Sequence, residues 1–204
     1  MKDPTLTPPD DDASRVTQTD ILSWIHSHVW TGEYDGDEVA LLIEDQLDEH
    51  DELDERWLRK AIRSEIAAKR KAETNWPKVT DCDRLDRVFQ SLERQHVIAL
   101  HIAGFTQSDG LEEVEDEYHE AGGKKSMYAG HCFYTKQDQE HALNGDGMHI
   151  GFGHLSGNDA KGIEVGNILR AALLSEGLNV EWDGTIKTRL YVKGFCWQRR
   201  GPRN

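Results

Sequence analysis

The stretch "NWPKVTDCDRLDRVFQSLERQHVIAL" (Asn75–Leu100) decides the fold, because the periodicity of the chain changes across it. Pro77 interrupts a long helical pattern. Thr80, followed three residues later by Asp83, then opens a new helix as a capping box with Asp in place of the usual Glu or Gln. Asp81 and Asp83 suit the positive end of a helix dipole, and Leu85, Val88, Phe89 and Leu92 follow at helical spacing. After this helix the run "HVIALHIAGF" reads as a strand. It places Ile98, Leu100 and Ile102 on one face and Val97, Ala99, His101 and Ala103 on the other.

On the N-terminal side the pattern is helical. Residues 1–17 combine Pro4, Pro8 and Pro9 with Asp10, Asp11 and Asp12; they bury too little to offset ordering entropy and are expected to form a disordered tail. Residues 18–75 read as a helical region. Its first helix carries Ile21, Leu22, Trp24, Ile25, Val29 and Trp30, with Thr19 or Asp20 available as a cap. The second, residues 35–50, carries Val39, Leu42, Ile43 and Leu47 on one stripe, and the third carries Trp57, Leu58, Ile62 and Ile66. Charge is divided between them: Val16–Glu55 holds no Lys or Arg, whereas Arg56–Lys71 is rich in both. The division fits an acidic helix packed beside a basic one, or an acidic face that docks a basic partner.

On the C-terminal side, residues 76–200 alternate short strands with helices. "AGHCFYT" and "GMHIGFGHL" read as strands. In the second, Met148, Ile150 and Phe152 oppose His149, Gly151 and Gly153, a glycine-lined face that a packed helix would approach closely. "SDGLEEVEDEYHEAGG" is an acidic helix, "KQDQEHAL" a short one, and "NDAKGIEVGNILRAALLSEGL" the most apolar. Asp183-Gly184 in "NVEWDGTIKTRLYV" predicts a tight type I′ hairpin. The fold class expected is α+β: an N-terminal helical region followed by a four- or five-stranded mixed sheet with helices mainly on one face.

Composition narrows the function classes. The 204 residues are 37% hydrophobic and 30% charged with a formal charge of −14, which opposes a nucleic-acid backbone and favours a basic partner or plain solubility. No apolar run reaches the roughly 20 residues of a membrane helix, and the N-terminus lacks the apolar core of a secretory signal. The expected location is the cytoplasm, with Cys82, Cys132 and Cys196 as reduced thiols.

Few residues suggest chemistry. Asp81, Asp83, Asp138 and Asp183 could converge on a divalent ion, but their spacing matches no calcium or magnesium loop, and local roles account for each: caps for three, a turn for Asp183. His101, His119, His131, His149 and His154 raise zinc; His149 and His154, five apart on one strand, fall on opposite faces, and HExxH is absent. Neither a cofactor nor a metal is expected. "GFGHLSG" imitates a dinucleotide-binding turn, yet its first glycines lie inside a strand. No nucleophile elbow or phosphate loop is present.

Together, "TDCDRLDRVFQSLE", "FYTKQD", "MHIGFG", "GLNVEWDG" and "WQRR" resemble a bacterial family known only as a domain of unknown function, over about the last three-fifths of the chain. The resemblance implies no activity or cofactor, but it groups Thr80, Asp81, Asp83, Gln137, Asp138, Trp182, Asp183 and Trp197 as a candidate surface. The expected function is a non-enzymatic binding or regulatory module that engages a basic protein partner through acidic surface. The alternative is a divalent-metal-dependent hydrolase or phosphate-handling enzyme built on Asp81, Asp83, Asp138 and Asp183. A third possibility is an antagonist of a basic toxin or nuclease.

Overall fold

The computed structural model describes residues 16–46 and 54–202. The expected N-terminal tail, and Leu47 at the end of the second helix, lie outside the described residues, apart from Val16 and Thr17. Three helices come first: α1 (Gln18–Thr31), α2 (Gly36–Glu44) and α3 (Glu55–Glu73). The cap of α1 is Thr17, not Thr19 or Asp20; Asp20 instead returns its carboxylate to the Thr17 N–H at 2.9 Å, closing a capping box. Ile21, Ile25, Val29, Val39, Ile43, Leu58 and Ile62 bury together as one core between these helices. Across the charge division, Arg59 of α3 reaches Asp37 of α2 at 3.0 Å.

The second unit runs α4 (Asp81–Glu93), β1 (Val97–Leu100), α5 (Gln107–Glu120), β2 (Gly130–Phe133), α6 (Lys136–Leu143), β3 (Met148–His154), α7 (Asp159–Ser175), β4 (Val180–Glu181) and β5 (Leu190–Val192). The strands form one five-stranded sheet in the order β1-β2-β3-β5-β4. β1 and β2 are parallel and every other pair is antiparallel, so the sheet is mixed and the α+β expectation holds. Helices α4 and α7 supply Leu85, Phe89, Leu92, Val165, Leu169 and Leu173 to the main core, against Cys132, Met148 and Ile150 of the sheet. A smaller cluster of Ala103, Val114 and Phe133 packs α5 on the other side.

Three local expectations fail for tertiary reasons. β1 stops at Leu100; Ile102 turns into the left-handed region at φ 54°, so His101 leaves the strand and its ring packs on Phe89 at 4.5 Å. The glycine face of β3 receives the rings of β2 rather than a helix. Phe133 pairs with Gly151 and His131 with Gly153 across the ladder, and a Cβ at Gly153 would lie 2.7 Å from the His131 ring. Finally, Asp183-Gly184 is no two-residue hairpin: eight residues join β4 to β5. Trp182 and Ile186 of that loop seat over Gly166 and Gly162 of α7, where added Cβ atoms would lie 2.8 Å and 2.7 Å from them. Burial of those two side chains outcompetes a tight turn.

His131 is the exposed cost of the ring-on-glycine packing. It is buried, its Nδ1 has no hydrogen-bond partner, and burial pushes its pKa down from 6.5 to about 4. Between those values the unfolded chain binds the extra proton, so stability is full above about pH 6.5 and is lost as pH falls toward 4. This one group contributes on the order of 3 kcal/mol to that slope. Replacement His131→Phe removes the unpaired nitrogen at similar volume; urea unfolding at pH 7.5 and pH 5 should show unchanged or higher stability at the first and a clearly smaller loss at the second.

Candidate functional site

Each candidate residue is held by the element it begins or ends. Thr80 caps α4: its N–H donates to Asp83 Oδ2 at 2.8 Å and the Asp83 N–H returns to Thr80 Oγ1 at 3.2 Å. The segment after β5 crosses this helix start. The Cys196 N–H donates to Asp81 Oδ2 at 3.1 Å, Arg200 approaches Asp83 at 3.5 Å, and Arg199 grips Asp86 with Nη1 at 3.0 Å and Nη2 at 2.7 Å. Buried Trp197 donates its indole N–H to the Thr31 carbonyl at 3.0 Å, fastening α1 to the sheet unit.

Asp138 stands elsewhere, buried at the start of α6 in a capping box with Thr135. Its Oδ2 accepts from the Thr135 N–H at 3.0 Å and hydroxyl at 2.8 Å, and Arg189 Nη1 reaches Oδ2 at 2.8 Å and Oδ1 at 3.0 Å. Gln137 beside it is exposed. Asp183 organises the β4–β5 loop, accepting from Thr185 and Thr188, and those bonds hold its carboxyl below the usual range. Trp182 packs edge-on to Phe152 at 5.2 Å. The candidate surface is therefore three separate settings, and Asp81, Asp83, Asp138 and Asp183 are not brought together as ligands. The reason is that each already serves a local cap, turn or ion pair.

Tyr134 and Lys69, which the sequence did not single out, share the interior with Cys82, beside His101. His101 Nδ1 lies 3.1 Å from the Tyr134 hydroxyl and its Nε2 lies 3.7 Å from Asp86. Tyr134 is fully buried, burial holds its phenol well above the ordinary range, and burial drives the nearby Cys82 thiol up to about 12, so both stay protonated at neutral pH. Lys69 is equally tied: buried, it donates to the Val29 carbonyl at 3.0 Å, and burial lowers its pKa to about 8. It lines a cleft of about 360 Å³ with Tyr34, Arg70, Glu73, Gly201 and Pro202.

One grouping has ligand chemistry. Asp138, His141 and His149 place an oxygen and two ring nitrogens within 4.8 Å of one another, the one such set of three among the described residues. Asp138 and His141 are three apart on α6, a spacing legible in "DQEH"; His149 arrives from β3 and could be added only by topology.

Residues 14–201 match the family described as Domain of unknown function (DUF6891). The chain belongs to that family. The match includes the three N-terminal helices, so the domain is wider than the last three-fifths suggested by the short motifs. No curated relative and no solved structure matches the chain. No helix among the described residues is long and apolar enough to cross a membrane.

The two arginine pairs differ in what their loss should cost. Arg189→Leu strands a carboxylate whose side chain is only 2% exposed and should destabilise by about 2 kcal/mol or more. Arg200→Leu, at a pair open to solvent, should cost under about 1 kcal/mol. Guanidinium unfolding of the two variants checks the difference.

Proposed function

We propose that the protein is a cytoplasmic binding module whose acidic helix α5 docks a basic segment of another protein. One observation carries the reading. Glu112, Glu113, Glu115, Asp116, Glu117 and Glu120 are all exposed on α5, and no Lys or Arg among the described residues pairs with any of them. The other carboxylates discussed above are engaged, by an arginine, a cap, a turn or a backbone N–H.

The arrangement also costs the helix stability. Glu112, Asp116 and Glu120 form a stripe at four-residue steps, and Glu113 and Glu117 a second, so like charges face one another along both. Only Gly110 and Val114 of α5 are buried, leaving little packing to offset the repulsion. The capping box of Thr106 and Asp109 fixes the helix start, with Asp109 Oδ2 accepting from the Thr106 N–H at 2.8 Å. Exposed Phe105 and Leu111 lie at the same end and offer apolar contact beside the charge. A cationic partner relieves the repulsion, which gives the carboxylates a role that solubility alone does not require.

The test compares the full chain with the variant Glu112→Gln/Asp116→Asn/Glu120→Gln. Its melting temperature should equal or exceed that of the unmodified protein, because repulsion is removed. Binding to a model Lys/Arg-rich peptide, measured by fluorescence anisotropy, should weaken with rising salt for the unmodified protein and fall at least about tenfold in the variant. Equal affinity of the two proteins, or binding indifferent to salt, would refute the docking role of α5.

A further inference from the structure

We infer that Asp138, His141 and His149 form a binding site for one divalent transition-metal ion of the zinc class. The inference is independent of the role given to α5. Two imidazoles and one carboxylate select zinc, cobalt or nickel over magnesium and calcium, which prefer oxygen donors throughout. The three side chains come from two regular elements, α6 and β3, which pack directly on one another. Such rigid supports suit a preformed site.

The surroundings of each ligand fit that use. Oδ2 of Asp138 is fixed by the Thr135 N–H and hydroxyl, the kind of outer contact that orients a ligating carboxylate, while Oδ1 accepts only from Arg189. His149 sits opposite Tyr191 in the β3–β5 ladder and packs on its ring at 4.8 Å, and the Tyr191 hydroxyl is itself anchored on the Asp146 carbonyl at 2.9 Å. Neither the His149 nor the His141 ring makes a hydrogen bond among the described residues, so their nitrogens are free to face an ion.

Arg189 is the competitor. It already balances the Asp138 charge, and its side chain is 30% exposed, so a bound ion takes over Oδ1 while the guanidinium turns toward solvent. His141 lies at the surface, which leaves a route for the ion and at least one coordination position open to water. The site thereby retains one aspartate of the divalent-metal alternative, Asp138, and sets two histidines in place of the other three.

The experiment titrates the full chain with Zn²⁺ by calorimetry and with Co²⁺ by visible absorption, with Mg²⁺ and Ca²⁺ as further arms. One zinc ion per chain is expected, with Co²⁺ bands of imidazole coordination and no comparable binding of Mg²⁺ or Ca²⁺. His141→Ala, at an exposed position where folding is not at stake, and His149→Ala should each weaken zinc at least about tenfold. His119→Ala, which removes a surface histidine 3.5 Å from Glu115, should leave affinity unchanged. Absence of stoichiometric zinc binding, binding that both His141→Ala and His149→Ala leave intact, or loss on His119→Ala would overturn the assignment.

Discussion

The two parallel hydrogen bonds between Arg199 and Asp86 fix the segment on which the rest of the molecule depends. With Arg199 held over α4, Trp197 is placed to reach the end of α1, Cys196 to reach Asp81, and Gly201 to donate its N–H to Glu73 of α3 at 3.1 Å. Two hydrophobic cores that share few side chains are thereby joined through polar contacts of good geometry. Gln139 of α6 adds one more, donating to Glu33 at 2.5 Å in the turn after α1. The region between the cores is consequently rich in buried or half-buried polar groups, and Tyr134, His101 and Lys69 find hydrogen-bond partners there.

That allocation also organises the functional reading. A carboxylate engaged by a cap, a turn or an arginine offers a ligand at most the oxygen its cap leaves free, and most of the conspicuous aspartates are of this kind; among the described residues Asp138 alone keeps such an oxygen beside two histidines. What remains uncommitted is distributed unevenly. The acidic residues of α5 form no ion pair with Lys or Arg among the described residues, and there the ring nitrogens of His141 and His149 lack hydrogen-bond partners beside a carboxylate already oriented by Thr135. The first suits a long-range, salt-sensitive encounter and the second a short-range one with strict geometry.

The sequence was most legible where the physics is local. The Thr80 and Asp83 box, the three N-terminal helices, α7 with its buried Val165, Leu169 and Leu173, and the mixed α+β class followed from spacing and capping alone. It was least legible where distant residues decide. Nothing near Ile102 signals a left-handed turn; Asp183-Gly184 has the composition of a hairpin, and only Gly162 and Gly166, on another element, show why Trp182 and Ile186 spread into a loop. The same limit applies to the sites. The aspartates could be enumerated, but their partners, Arg189, Arg199 and Arg200, come from the opposite end of the domain, and His149 meets His141 only through the placement of β3 beside α6.

The indole bond of Trp197 to Thr31 spans 166 positions of chain. Contacts so far apart in sequence are reached late, after the helical hairpins and the α4–β1 unit have paid their smaller closure entropies. Seating of the final segment is thus the closing event of folding, and its release the natural first step of unfolding. A molecule built this way holds its two halves together by a seal rather than by a shared core, so the lifetime of the assembled domain is governed by how long that seal stays shut.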